Sequence, residues 1–345
     1  MERNECLYRT NISVIPLRCH ILPDMKKKSL IYLVTCLSIA VNILLAGSFY
    51  MHEHTELVAQ YDEANHAFLS KTLSVDSKND MLINFIPLRN ALQEYVATQN
   101  GSTGIYFEYL PTGSSISANA LTQIKLLSLA KVPLVMSIYK KAERGQLNLE
   151  SNTTLSKQDI DKGFGTLWQE GEGANIPIKT LITKSLSDSD NTAYNALFDL
   201  LTPQEVNEVY ENLDIELTHN ANGILTSPKN YSSVFRALYL SSFLAPEDSN
   251  SILESLSHTA FTDKIPAGVP NGIIVSHKIG VFENVDGQND LYTDCGIIYA
   301  PNRPYILCAF VKGNNAKAQE VISHVSKMVY GYVTQVKASI PTITN

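Results

Sequence analysis

Three strand-like segments near the end of the chain constrain its fold more than any other feature. They read "GIIVSHKIG" at 272–280, "LYTDCGIIYA" at 291–300 and "YILCAFVKG" at 305–313. Short connections separate them, and a pattern typical of an amphipathic helix follows over 318–336. Because strands joined by short turns pair antiparallel, the sequence predicts an antiparallel sheet followed by a closing helix.

The part of the chain before this sheet divides into an opening helix and strand and a long helical block. Helical periodicity over 81–99 precedes an alternating segment, "IYFEYL", at 105–110. From about 121 to 265 the patterns are mostly helical, at 128–145, 178–187, 191–201, 203–212, 228–243 and 249–258. We therefore predict an α/β fold of the α+β type, in which an antiparallel sheet is flanked by helices and an all-helical lobe is inserted. Clefts between lobes are frequent binding sites.

One segment, "SLIYLVTCLSIAVNILLAGSFYM" at 29–51, is apolar and without charge. Its length suits one crossing of a bilayer, and the lysines of "MKKK" before it predict that residues 1–28 are cytoplasmic. We expect a single-pass signal anchor in the cell membrane, a stalk over 52–80 and an extracytoplasmic domain over 81–345. A cleaved signal peptide, which would make the protein secreted, is the main alternative, and a buried core helix is the other.

Composition argues against some partners, and the cysteine positions leave one disulfide undecided. The chain has 345 residues, 44% of them hydrophobic, so it can bury a full core, and its net charge of −7 argues against nucleic acid as a partner. None of the five cysteines has metal-ligand spacing, and we expect neither a metal nor a cofactor. Cys295 and Cys308 flank a predicted hairpin. They are expected either to form a disulfide or to be two small buried apolar residues.

The run "LLSLAKVPL" at 126–134 places Ser128 three residues before Lys131. Residues three apart share a helix face, and apolar surroundings lower the pKa of a lysine. A neutral lysine beside a serine can accept its proton and make the oxygen a nucleophile. The alternative is a serine at a helix N-terminus and a lysine on the surface.

Two further motifs carry polar groups suited to the same chemistry. Ser189, Asp190 and Asn191 stand at the start of a predicted helix, where Asp190 would also serve as an N-cap. Lys278 and Gly280 lie in the first of the three late strands. A lysine followed by a close-packed glycine at a strand edge suits an anion held against backbone amides, although Lys278 would also be ordinary as an exposed strand residue.

In order and spacing these motifs resemble those of the serine β-lactamase and penicillin-binding protein superfamily, S-x-x-K, S-D-N and K-T-G or K-S-G. The resemblance covers about residues 81–340 and is closest to the class A β-lactamases. It extends to "IYFEYLPTGSSISANA", which is similar to the first strand and loop of that family, and to "CGIIYAPNRPYILCAFVKG", which is similar to its closing hairpin.

The resemblance implies a role for each motif residue. Ser128 would be the acylated nucleophile and Lys131 its base, while Ser189 would relay a proton to the leaving nitrogen. Asn191 would hold Lys131 and the amide of the substrate side chain. Lys278 would provide positive charge for a substrate carboxylate and tune Ser189. The oxyanion hole would consist of the backbone N–H groups of Ser128 and Val281, with Gly280 allowing the anion to approach the strand.

The sequence departs from the family pattern at two places. Ile279 stands where the family has a hydroxyl that helps bind a carboxylate, and Ser276 or a later residue is a possible substitute. Class A enzymes also carry a loop glutamate that activates water for deacylation. Here the matching stretch, "LTHNANGILTSPKNY", contains no acid, and the only base in its loop is His219.

These observations predict a membrane-anchored extracytoplasmic serine hydrolase of the class A β-lactamase type. It would form an acyl-enzyme on Ser128 with a β-lactam or a related amide or ester, drawn from small molecules or peptidoglycan peptides, and it would deacylate weakly. The alternatives are a peptidoglycan D,D-peptidase-like enzyme, a sensor that stays acylated, and a silent β-lactam or cell-wall binding domain.

Overall fold

The structure is a computed structural model that describes residues 32, 35–48, 68–69, 83–100, 102–221, 223–284 and 290–336. Contacts divide the chain into two compact units, Met1–Ala64 and Asn65–Asn345. In the first unit, residues 35–48 are helical. Among the described residues, no helix combines the length and apolar character needed to cross a membrane. The predicted anchor at 29–51 lies partly outside those residues.

The second unit contains ten strands and eight α-helices in its described part. The strands are β1 Thr103–Tyr109, β2 Ser114–Ala118, β3 Ile124–Lys125, β4 Asn152–Thr154, β5 Asn175–Pro177, β6 Thr218–Asn220, β7 Gly223–Thr226, β8 Val275–Phe282, β9 Leu291–Ile298 and β10 Tyr305–Lys312. The helices are α1 Ile86–Thr98, α2 Lys131–Glu143, α3 Ile178–Ser187, α4 Asn191–Phe198, α5 Pro203–Asn212, α6 Pro228–Tyr239, α7 Pro246–Ser257 and α8 Asn315–Gln335. Short 3₁₀ turns occur at Leu127–Ala130, Leu167–Glu170 and Pro266–Gly268.

The main sheet has the order β2-β1-β10-β9-β8, and every neighbouring pair is antiparallel. In one row across it, Tyr106 lies opposite Cys308, Cys308 opposite Cys295, and Cys295 opposite Lys278. Residues paired in this way point to the same face. Tyr106 and both cysteines pack in the core of the helical lobe, so the side chain of Lys278 also emerges on the lobe side. Helices α1 and α8 cover the opposite face.

Helix α2 is the centre of the helical lobe. Every residue from Lys131 to Tyr139 is buried, and a helix that is buried on all sides belongs in the interior. Helices α3 to α7 contribute to the same core. Two small antiparallel sheets, β3-β7-β6 and β4-β5, lie within the same stretch of chain. The predicted lobe is therefore helical for the most part but not entirely.

Cys295 and Cys308 form a disulfide between directly opposed positions of β9 and β10, with a Cα–Cα distance of 4.0 Å. Both residues are 2% exposed. The sequence left a disulfide and two buried thiols as alternatives, and the structure has the disulfide.

The predicted α+β fold with an antiparallel sheet is confirmed, and helices 178–187 and 203–212 have the predicted bounds. The helix predicted from 128 begins instead at Lys131, because residues 127–130 form a 3₁₀ turn. The strand predicted from 272 begins at Val275 and continues to Phe282. The boundaries predicted between tail, anchor, stalk and domain stay predictions.

Candidate active site

Ser128 lies in the 3₁₀ turn that immediately precedes α2. Leu127 before it has φ of 49°, a left-handed conformation that costs a leucine about 1–3 kcal/mol. Strand β8 passes close to this turn, since a Cβ at Gly280 would lie 3.3 Å from Leu127 Cβ and 2.5 Å from Thr293 Oγ1. Glycine at this position therefore allows the strand and the serine turn to approach each other, and Ser128 remains partly exposed.

Lys131 is 2% exposed and lies at the centre of a polar cluster. Its Nζ donates to the Ser189 carbonyl oxygen at 2.6 Å and to Asn191 Oδ1 at 2.7 Å, and it lies 3.2 Å from each of the hydroxyl oxygens of Ser128 and Ser189. A neutral amine has two hydrogens and one lone pair. The two shorter contacts use both hydrogens, so the lone pair remains for a serine hydroxyl proton.

Burial lowers the pKa of Lys131 from its ordinary 10.5 to about 8, and the carboxylates of Asp190 and Asp161 oppose part of that shift. A pKa in this range leaves a useful fraction of the amine neutral near physiological pH. Lys131 therefore has both the position and the protonation equilibrium of a general base.

Ser189 adopts φ of 55°, which is unusual for a residue other than glycine. This conformation turns its carbonyl towards Lys131 while its hydroxyl lies between two amines, 3.2 Å from Lys131 Nζ and 2.8 Å from Lys278 Nζ. Asp190 follows as the N-cap of α4, accepting from the backbone of Ala193 at 2.9 Å and of Leu167 at 2.8 Å. Asp190 is thus the N-cap of this helix, as its position in the sequence also allowed.

Lys278 is 1% exposed, so it is not the exposed strand lysine of the alternative interpretation. Burial, reinforced by the nearby charge of Lys131, shifts its pKa well below the ordinary value, and Asp294 counteracts only part of this. Two ammonium groups on one hydroxyl would repel each other. The pair is therefore expected to hold fewer than two positive charges, which suits proton transfer through Ser189.

A loop at 159–168 lies against the start of α4 and brings in a residue that the motifs did not predict. Asn191 Nδ2 donates to Asp161 Oδ1 at 3.1 Å, and the Asn191 backbone donates to the Phe164 carbonyl at 3.0 Å. The ring of Phe164 lies 6.4 Å from that of Phe261, which in turn lies 5.9 Å from Lys278 Nζ. No sequence signal singled out Asp161 or Phe261, because the path of the loop decides their contacts.

Strand β8 is at the edge of the main sheet, so half of its backbone amides lack a sheet partner. The oxyanion role predicted for the amides of Ser128 and Val281 stays a prediction, as do the roles of the other site residues. Ile279 is 3% exposed and brings no hydroxyl. The suggested substitute, Ser276, is wrong because its buried hydroxyl donates to the Leu253 carbonyl of α7 at 2.7 Å.

The stretch that matches the family's glutamate loop forms a small hairpin of β6 and β7. Its strand β7 pairs with β3, just before the Ser128 turn. His219 lies on β6 opposite Ile224 and is exposed. Within the described residues, no group of three or more histidine, cysteine, aspartate or glutamate side chains is placed to hold a metal.

Comparison with known proteins gives consistent results. The model of the beta-lactamase enzyme family Beta-lactamase2 matches residues 87–333. A beta-lactamase of Phocaeicola vulgatus is 22% identical over 291 residues, covering 77% of this chain and 90% of that protein. The extended-spectrum beta-lactamase PER-1 of Pseudomonas aeruginosa is 22% identical over 240 residues, covering 62% and 77%.

Solved structures share the fold. A variant of PBP-A, in an acyl-enzyme complex with penicillin G, has a TM-score of 0.67 at 24% identity and covers 74% of this chain and 99% of its own. A beta-lactamase from Chitinophaga pinensis has a TM-score of 0.65 at 20% identity and covers 71% and 98%.

Proposed function

The chain belongs to the beta-lactamase enzyme family, and from that premise we propose that it is a serine hydrolase that forms an acyl-enzyme on Ser128 and releases it slowly. The observation that carries this proposal is the buried Lys131, whose Nζ lies 3.2 Å from Ser128 Oγ and whose pKa is lowered to about 8. The acyl donor is a β-lactam or a related amide or ester.

In the acylation step, Ser128 Oγ forms a bond to the substrate carbonyl carbon while Lys131 takes the hydroxyl proton. The tetrahedral oxyanion is held by the backbone amides of Ser128 and Val281, donors that are typically worth ~3–4 kcal/mol each. The carbon–nitrogen bond then breaks, and the leaving nitrogen receives a proton through Ser189. The contacts of the Ser189 hydroxyl with Lys131 and Lys278 support this relay.

Deacylation requires a water that is held and deprotonated beside the ester. The hairpin of β6 and β7 provides no carboxylate for this, because no Asp or Glu occurs between Glu216 and Glu247. Lys131 Nζ lies 3.2 Å from Ser128 Oγ, but its two short contacts already direct its lone pair towards the serines. We therefore expect the acyl-enzyme to persist.

The proposed location is the outer side of the cell membrane, with residues 29–51 as the anchor. Two observations support it. Large apolar side chains such as Leu37, Ile43 and Leu44 are exposed on the helix at 35–48, and the Cys295–Cys308 disulfide suits an oxidising compartment. A reporter that is active only outside the cytoplasm, fused after Asn345, is expected to be active.

Intact-mass spectrometry of the full-length protein with benzylpenicillin tests the acyl-enzyme. We expect one adduct on the wild type and none on Ser128→Ala. Ser137→Ala is the matched control, because Ser137 is a buried serine of α2 whose hydroxyl donates to the backbone carbonyls of Pro133 and Glu205 and, among the described residues, to no site residue. An adduct that survives Ser128→Ala would refute the nucleophile assignment.

A second candidate is a peptidoglycan D,D-peptidase-like enzyme, and the hairpin without a carboxylate favours it. The fold shared with PBP-A, a protein solved with penicillin G as an acyl-enzyme, is in line with this candidate. Release of D-alanine from a D-alanyl-D-alanine peptide, dependent on Ser128, would distinguish it from a β-lactam hydrolase.

A further inference from the structure

Asn191 has one defined amide orientation in this site. Its Oδ1 accepts from Lys131 Nζ at 2.7 Å, and an amine is a donor towards it, so the oxygen must face Lys131. The Nδ2 group therefore points away from Lys131, and there it donates to Asp161 Oδ1 at 3.1 Å. A continuous path of side-chain contacts thus leads from Ser128 through Lys131 and Asn191 to Asp161.

The position of Asp161 is fixed by several contacts with its surroundings. Its Oδ1 also accepts from the Gly163 backbone at 2.6 Å, and its own backbone N–H donates to Thr192 Oγ1 at 3.0 Å. A Cβ at Gly163 would lie 2.9 Å from Asp161 Oδ1 and 3.1 Å from Asn191 Nδ2. The loop therefore requires a glycine at position 163. Because glycine has no side chain, position 163 does not cover the contact between Asp161 and Asn191.

Asp161 keeps unused acceptor capacity and negative charge. Among the described residues, its Oδ2 atom has no hydrogen-bond partner, and the side chain is partly exposed. The adjacent Lys162 forms no ion pair with it in the described part of the chain, and its Nζ lies 5.2 Å from the centre of the Trp168 ring. Asp190 differs in this respect, since both of its oxygens accept backbone hydrogen bonds.

We propose that Asp161 makes this cleft select acyl donors whose acyl side chain carries an ammonium group. The inference rests on the proposed function and on the role that the family resemblance implies for Asn191, contact with the amide of the substrate side chain. A carboxylate is an acceptor only. The Asp161 carboxylate next to the substrate amide attracts an ammonium group on the acyl side chain and repels a carboxylate there. A neutral acyl side chain is unaffected by its charge. The substrate class is thus a β-lactam or peptide acyl donor with a free amine near the scissile bond.

Three penicillins that differ at one carbon of the acyl side chain test this selectivity on the full-length protein. Ampicillin carries an ammonium there at mildly acidic pH, benzylpenicillin a hydrogen and carbenicillin a carboxylate. We expect second-order acylation rate constants to fall in that order, by about fivefold per step, the size of one partly exposed ion pair. This comparison uses only the wild-type protein, so it does not depend on whether a variant folds.

Substitution then assigns the effect to one residue. Asp161→Asn should bring the three rate constants to within about twofold of one another. Glu150→Gln removes the same charge from an exposed pair with Lys179 and should change nothing. A uniform slowing of all three penicillins by Asp161→Asn would reduce Asp161 to a positioning residue for Asn191 and overturn the proposal.

Two other outcomes are distinguishable. Equal acylation by the three penicillins in the wild type would overturn the selectivity while leaving the chemistry at Ser128 intact. The absence of any Ser128 adduct with all three would overturn the proposed function, and the selectivity of Asp161 with it.

Discussion

Lys131 combines burial with four polar contacts, and its effect on acylation is the most direct consequence at the scale of single residues. Lys131→Ala removes the proposed base and should lower the acylation rate constant ~10²–10⁴-fold, the usual size of a general-base contribution. Stopped-flow acylation by nitrocefin measures it. Lys140→Ala is the control on the same helix, because Lys140 pairs with Glu143 at the surface. A similar loss in both variants would indicate a general effect on α2.

The pKa of Lys131 predicts a pH dependence. Only the neutral amine accepts the Ser128 proton, so acylation should accelerate about tenfold per pH unit below pH 8 and level off above it. Asp161 raises the pKa of Lys131, and Asp161→Asn should therefore move the midpoint to lower pH. Acylation that is independent of pH between about 6 and 9 would contradict the role of Lys131.

The left-handed conformations of Leu127 and Ser189 add a second residue-scale feature. Such backbone costs about 1–3 kcal/mol and persists where the surroundings enforce it. Here the buried Leu129 and the cap of α4 by Asp190 hold the two segments. Strain at Leu127, next to Ser128, and at Ser189 is consistent with a site that is preorganised before substrate arrives.

At the scale of elements, the hairpin of β6 and β7 is the basis for the proposed slow deacylation. The expected result with excess nitrocefin is an initial burst of about one equivalent followed by slow turnover, because losing a general base slows deacylation ~10²–10⁴-fold. Intact mass after mixing should show the acyl-enzyme for minutes or longer.

Burst-free turnover in the usual enzyme range of ~10–10³ per second would contradict this expectation. It would show that another group activates water. His219→Ala would then test the one titratable side chain of the hairpin, which is exposed on β6.

Across the whole molecule, the disulfide joins β9 and β10, two inner strands of the sheet that carries Lys278. It closes a loop with a sequence separation of 13 residues, for which the chain-entropy estimate is about 3 kcal/mol. We expect the double variant Cys295→Ala and Cys308→Ala to lose about 2–4 kcal/mol of unfolding free energy in urea. Cys36→Ala is the control, since Cys36 is a free exposed thiol. Equal stability of both variants would show that strand pairing alone holds this region.

Much of the fold was predictable because its determinants are local in sequence. Alternating and helical periodicities mark β9, β10, α3 and α5. The start of α5 is also marked locally, by Pro203 at its first position and by a capping box between Thr202 and Glu205. Helix α2 was placed three residues too early, since the 3₁₀ turn at Leu127–Ala130 has the same apolar composition as the helix. Periodicity does not distinguish the two.

The sequence by itself determined which chemistry-bearing residues are present and in what order: Ser128, Lys131, Ser189, Asn191 and Lys278. Tertiary structure decided how they act. Burial lowered the pKa of Lys131, the packing of α7 beside β8 engaged the Ser276 hydroxyl, and the loop at 159–168 brought Asp161 to Asn191. The spacing of a motif shows which residues lie close together on one helix or strand. Burial, and contacts between segments that are distant in sequence, depend instead on how whole helices and strands pack, and no local sequence pattern encodes that packing.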